Sequence, residues 1–306
     1  MVHRYPGRLC LIGSLGTAAC GCFNFEEPGV LQWLEQSSGL NEISIAALVT
    51  DETRPRSLAR EDNLLLALRG INLSPGYDPE DMVSLRIWTN GQKVISTRRR
   101  SLRSTDDVLA ELEAASGPEN AAQLLVAWID RIVWRMNDTI EDLEEQVQVL
   151  EENVLSGETG GVRMKIAHLR KQIISIRRYL APEREAMNRL VNENLSWLDD
   201  FNRLRLREIN DRLIRYIEDI DEVRDRAAPA QEELFTRVSA QMNERSYIFT
   251  VVATIFLPLG VFTGLIGINV GGMPGVEDDT AFWIVVAMCF GVIAVLALVF
   301  RLKRWL

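Results

Sequence analysis

Apolar residues recur at two different spacings along this chain, and the change of spacing marks its parts. Ile140, Leu143, Val147, Leu150 and Val154 follow steps of three and four, the period of one helical face. After the break Ser156-Gly-Glu-Thr-Gly-Gly161 the rhythm returns with Ile166, Leu169, Ile173, Ile176 and Leu180. Two such stripes joined by a short turn predict an antiparallel helical hairpin. Earlier in the chain the period is two. Val83, Leu85 and Ile87 alternate with polar positions, and Asn90-Gly91 predicts a two-residue turn with positive φ angles, closing a β-hairpin over Val83–Thr97. Asn63–Asn72 reads as a strand, and Glu42–Thr50 as a strand or a short helix. These elements predict an α+β domain over residues 23–195.

A third helical pattern starts near Ser196. Phe201, Leu204, Leu213, Ile217, Ile220, Leu234, Val238 and Met242 carry its apolar face through an Arg/Glu-rich surround, and Pro229 predicts a kink or local break. A continuous helix from Ser196 to Ile268 would be about 110 Å long at roughly 1.5 Å per residue. Residues 196–246 are therefore expected to form a stalk, packed against copies of itself.

Residues 247–268 contain 22 positions without a charge, and residues 281–300 another 20. Roughly 20 apolar residues cross a bilayer core, so residues 247–306 read as a transmembrane hairpin with a short tail. A hairpin buried in a soluble protein is the alternative. Arg245 precedes the first span, and Arg301, Lys303 and Arg304 follow the second. The loop Asn269–Thr280 has neither Lys nor Arg. Basic flanks stay inside, so both termini are expected in the cytoplasm of a bacterium and the loop outside its inner membrane.

Composition sharpens this division. Of 306 residues, 34 are Lys or Arg and 43 are Asp or Glu, a net charge of −9. Mean hydropathy is nevertheless −0.00, because an acidic body is averaged with an almost uncharged end. A simple soluble globule, a disordered chain and a disulfide-stapled secreted domain are excluded. An acidic chain also lacks the basic field that nucleic acid requires. With four Cys and two His, no zinc-finger or catalytic-triad spacing occurs, so neither an enzyme nor a soft-ligand metal site is expected, and no tightly bound cofactor. Residues 1–22 form an atypical N-terminal segment. They resemble a secretory leader in their basic start, but Gly13, Ser14 and Gly16 break the apolar core and the inferred topology opposes export. A displaced start site or altered reading frame explains them equally well.

The first span carries a stripe of its own: Ser246, Phe249, Ala253, Leu257, Gly260 and Gly264, rich in small residues. Such a stripe serves close helix packing or lines a narrow pore, and spacing alone leaves both open. Two spans enclose no aqueous path, so a transporter built this way has to be an oligomer with one helix of each subunit at the axis.

The span ends in Gly267-Ile268-Asn269, with Met273-Pro274 shortly after. Here the chain resembles the CorA-type divalent-cation transporters, and within them the ZntB zinc-transporter branch. Further matching segments are Thr53-Arg-Pro-Arg56, Ser96-Thr-Arg98, Arg177-Arg-Tyr-Leu-Ala-Pro182, Phe256-Leu-Pro258, Thr263-Gly-Leu265 and Lys303-Arg-Trp-Leu306. The chain departs from the family in residues 1–22, and at Gly275, where CorA proper has an acid. The resemblance implies a homopentameric funnel in the lipid bilayer, carrying Zn2+ with protons. The selectivity motif Gly267, Ile268, Asn269 would form the outer mouth, with Asn269 as the metal-contacting residue acting through hydration water. Glu277, Asp278 and Asp279 would form an outer acidic loop that gathers cations, and the stripe above would be pore-lining. A magnesium or cobalt channel and a membrane-tethered scaffold are the alternatives.

Overall fold

The computed structural model describes residues 2–5, 9–15, 18–50, 54–114, 116–157, 161–267 and 280–302, with side chains from Cys20 onward. The chain divides into two compact units, Met1–Leu234 and Phe235–Leu306.

The first unit is built on one seven-stranded sheet. Its strands are β1 (Val2–Tyr5), β2 (Leu9–Leu15), β3 (Ala18–Asn24), β4 (Arg56–Arg60), β5 (Asn63–Gly70), β6 (Val83–Thr89) and β7 (Lys93–Arg98), in the order β1-β2-β3-β7-β6-β5-β4. Neighbours pair antiparallel except β3 and β7, which run parallel from Ala19↔Lys93 to Asn24↔Arg98. Strands β1, β2 and β3 thus extend the sheet beyond the residue-23 boundary drawn from the sequence.

Helices cover both faces, and the strand sequences show why. Along β5, Leu64, Leu66 and Leu68 join a large core with α3 (Arg103–Glu113), α4 (Ala121–Trp134), α5 (Met136–Ser156), α6 (Val162–Asn192) and α7 (Asp200–Ile266). Leu65 points the other way, into a smaller core with α1 (Val30–Gln36) and α2 (Glu42–Val49). A strand buried on both faces reads as an unbroken apolar run, which is what Asn63-Leu-Leu-Leu-Ala-Leu68 is. Asn41, Asn120 and Asp199 start α2, α4 and α7 by accepting the backbone N–H of Ser44, Gln123 and Asn202 at 2.8, 2.9 and 2.8 Å.

The helical hairpin is α5 and α6, with all ten stripe residues from Ile140 to Leu180 buried. Gly157 at φ 86° ends α5, and Gly161 at φ 77° precedes α6. Helix α7 differs from its expected pattern at several points, Val238 and Met242 among them, which are exposed in the second unit. Phe201 and Leu204 are exposed, at 67% and 54%, because the buried face runs through Leu206, Ile209, Leu213, Ile217 and Ile220, out of phase with them. Helix α7 also continues through Pro229, as α6 continues through Pro182. Ala227, Ala230 and Leu234 are buried around Pro229, and Arg226 pairs with Glu151 at 2.6 Å, so packing on both sides offsets the missing N–H. Arg212–Asp130 at 3.0 Å and the bidentate Arg177–Asp221 pair at 2.6 and 3.1 Å tie α7 to α4 and α6.

The β6–β7 turn also departs from expectation. Asn90-Gly91 is not a two-residue turn with paired positive φ angles; Gly91 has φ 82°, and among the described non-glycine residues only Glu61 and Asp62 have positive φ. Asn90 Oδ1 instead accepts the N–H groups of Gln92 and Lys93 at 3.1 and 2.8 Å, an Asx-type turn. The tight two-residue turn is Glu61-Asp62, between the paired Arg60 and Asn63. Asp62 accepts from Ser196 N and Oγ at 2.9 and 2.6 Å, and its carbonyl accepts from Trp197 Nε1 at 2.8 Å. Gly91 abuts the same tryptophan: a Cβ there would stand 2.4 Å from Trp197 Cβ. Both turns therefore hold the α6–α7 corner. Gly91→Ala is expected to destabilise this unit by about 1–3 kcal/mol, from the left-handed backbone and the clash together. A urea titration monitored by tryptophan fluorescence would show it, and an unchanged midpoint would refute it.

Among the described residues of this unit two carboxylic side chains are buried, Glu80 and Glu183. Glu183, 1% exposed on α6, accepts the Arg69 backbone N–H at 3.3 Å through Oε1. Its Oε2 has no hydrogen-bond partner among the described residues.

Candidate ion-conducting site

In the second unit, Phe235–Leu306, the last part of α7 and α8 (Ala281–Leu302) are both long and apolar enough to cross a membrane, and their apolar windows are unburied in the chain. Ser246, Phe249, Ala253, Leu257, Gly260 and Gly264 all lie on the exposed surface of α7. At about 100° per residue they fall within one face. The half-buried positions Val251, Ile255, Leu259 and Phe262 centre on the opposite face by the same arithmetic. On α8, Val285, Cys289 and Leu296 are half-buried and Phe300 is buried. This is the pattern of a two-helix hairpin with an inner face on each helix, and the predicted stripe lies away from it.

The polar groups of this stretch are satisfied within the helix. Thr250, Thr254 and Thr263 donate to the carbonyls of Ser246, Thr250 and Leu259 at 2.8, 2.7 and 2.8 Å, which lets hydroxyls sit among apolar surroundings. A Cβ added at Gly260 or Gly264 would meet nothing within 4 Å. Nothing among the described residues requires these glycines to be small. Gly267 follows the last helical residue; its N–H donates to Thr263 O at 2.9 Å, and a Cβ there would approach that oxygen to 3.2 Å. Ile268, Asn269, Glu277, Asp278 and Asp279 lie outside the described residues. Among the described residues no group of three His, Cys, Asp or Glu side chains could hold a metal ion.

A sheet-based α/β unit and a long helix leading into two candidate membrane spans, 247–268 and 281–300 being without charge, are the architecture of a membrane protein class. Residues 22–304 match the family described as CorA-like Mg2+ transporter protein, and the chain belongs to that family. Its members are transporters of divalent cations, not enzymes. The chain is 36% identical over 281 residues to the divalent cation transporter CmaX of Pseudomonas aeruginosa, covering 91% of this chain and 85% of that protein. It is 34% identical over 298 residues to the zinc transport protein ZntB of Yersinia enterocolitica, covering 96% and 90%. The solved structure of full-length CmaX is similar with a TM-score of 0.81 at 35% identity, covering 94% of this chain and 89% of that one.

Proposed function

We propose that this chain carries Zn2+ into the cytoplasm through a pore on the axis of a homopentamer in the bacterial inner membrane, with both termini cytoplasmic and uptake coupled to protons. The observation that carries this reading is the stripe Ser246–Gly264, exposed along α7 and opposite its half-buried face. Small residues that no contact among the described residues requires are accounted for when copies of α7 approach one another around an axis. Zinc as cargo is supported by the likeness to ZntB. Gly267, Ile268 and Asn269 would form the outer mouth, where a ring of amide oxygens holds the water of a hydrated cation without stripping it. Glu277, Asp278 and Asp279 would raise the local cation concentration. Neither span holds an Asp, Glu or His, so on this reading protons move with axial water and not through a titrating side chain in the membrane.

The likeness to CmaX favours a second reading, a transporter of broader cation range that includes Mg2+ and Co2+. Purified protein in liposomes separates the two. Zn2+ uptake is expected to exceed that of Mg2+ and Co2+, to be undiminished by either in competition, and to rise when the outside is made acidic. Equal or preferred Mg2+ or Co2+ flux would establish the broader reading, and indifference to the pH gradient would remove the coupling.

A further inference from the structure

Both spans carry an arginine at the end remote from their connection. Arg245 lies 21 positions before Ile266, the last residue of α7, and Arg301 lies 20 positions after Ala281, the first of α8. At roughly 1.5 Å per residue these are runs of about 30 Å, the thickness of a bilayer's hydrocarbon core. Each arginine also ends an apolar flank. At about 100° per residue, Trp283, Phe290, Ala294 and Arg301 lie within about 40° of one another on α8, as do Arg245, Val252 and Phe256 on α7. All seven are exposed. By the same arithmetic the α7 flank falls between the small-residue stripe and the half-buried face. On α8 the flank starts at Trp283 and finishes at Arg301, about 27 Å away. An aromatic ring at one interface and a basic group at the other is the signature of a lipid-facing surface.

The two arginines also differ in pairing from those before them. Arg212, Arg224 and Arg226, earlier on α7, pair with Asp130, Asp221 and Glu151. Neither Arg245 nor Arg301 pairs with a carboxylate among the described residues. Glu244, the acid nearest Arg245 in sequence, lies about 100° round the helix from it. Residues 301–306 hold Arg301, Lys303 and Arg304 and no acid.

We propose that Arg245 and Arg301 bind the phosphodiester of an anionic phospholipid in the cytoplasmic leaflet. This rests on the reading that both spans cross the membrane with their basic ends inside, and not on which ion is carried. Two unpaired guanidinium groups at one depth attract a headgroup of net negative charge, whereas a zwitterionic headgroup brings its own ammonium and offsets the attraction.

Native mass spectrometry of the full-length protein, in detergent with an equimolar mixture of phosphatidylglycerol and phosphatidylcholine, tests this. Phosphatidylglycerol is expected to be retained preferentially. Arg245→Gln/Arg301→Gln is expected to weaken its binding roughly fivefold per arginine and to leave phosphatidylcholine unaffected. Arg163→Gln/Lys165→Gln, both exposed on α6 in the first unit, removes equal charge and is expected to change nothing. Equal retention of the two lipids, an undiminished preference in the Arg245→Gln/Arg301→Gln protein, or equal loss in the control would overturn the proposal. A change of oligomeric state without loss of phosphatidylglycerol would overturn it too, assigning the flanks to contacts between copies. Flotation with pure phosphatidylcholine vesicles separates the two readings. Failure to float removes the membrane reading and the lipid site with it, whereas floating without headgroup preference refutes the lipid site alone.

Discussion

Liposomes carrying Asn269→Ala are expected to take up no Zn2+ above the empty-vesicle background, while the protein keeps its wild-type oligomeric state. A hydrated divalent ion entering a narrow mouth has to exchange part of its outer water for protein oxygens. A neutral amide supplies an acceptor of moderate strength, enough to hold the ion and weak enough to release it. On the proposed reading alanine removes the acceptor from every subunit at once, and the mouth no longer holds the water shell of the ion. Asn269→Asp puts a ring of negative charge at the same place and is expected to bind the ion more tightly and pass it more slowly. Zinc-indicator fluorescence inside the vesicles reads the flux, and size-exclusion chromatography separates a conduction defect from an assembly defect. Wild-type uptake by the alanine variant would remove Asn269 from the proposed mechanism.

The stability of the first unit is expected to fall as pH rises from about 5 to 8, and Glu183→Gln to abolish that fall. Burial pushes the Glu183 carboxyl from 4.5 up to about 8, opposed in part by the Arg69 backbone N–H and the charge of Arg69. Once unfolded, the side chain gives up its proton near 4.5; folded, it keeps the proton until about 8. Between those values unfolding releases a proton, so each unit of rising pH costs up to about 1.4 kcal/mol from this group. Below 4.5 both states are protonated, and above about 8 both are ionised, so the slope from Glu183 vanishes there. Glutamine mimics the neutral carboxyl and can still accept from Arg69 N. Its urea midpoint is expected to exceed that of the wild type at pH 8 and match it at pH 4.5. Five of the seven tryptophans lie in this unit and report its unfolding directly. Parallel pH profiles for the two proteins would contradict the assignment.

The elements that could be read in the sequence are those whose burial repeats locally. The α5–α6 stripe needs only the steps between Ile140 and Leu180, and the two spans need only length without charge. The turn at Glu61-Asp62 escaped, because its left-handed backbone is fixed by Ser196 and Trp197, more than 130 residues further on. Asn90-Gly91 has the residues of a two-residue turn, yet only Gly91 has a positive φ, and Asn90 spends its side chain on Gln92 and Lys93 while its N–H still pairs with Lys93 O at 3.3 Å. Phe201 and Leu204 look like core in isolation, but the face chosen by Leu206 and Ile209 is set by the helices α7 packs on. The stripe Ser246–Gly264 proposed to face the pore was legible because it sits on a single helix. Asn269 is identified through the resemblance of its motif.

The two turns at the sheet's rim have a mechanical meaning. Asp62 fastens the residues just ahead of α7 by hydrogen bonds, and Gly91 blocks their retreat by shape. A corner held in both ways resists pulling and twisting alike, so the first turn of α7 shares the motions of the strands and not those of a free linker. Loosening either fastening would give the sheet and this helix end independent motion, and would show as faster amide exchange at Ser196–Leu198 with the rest of β5 and β6 unaffected.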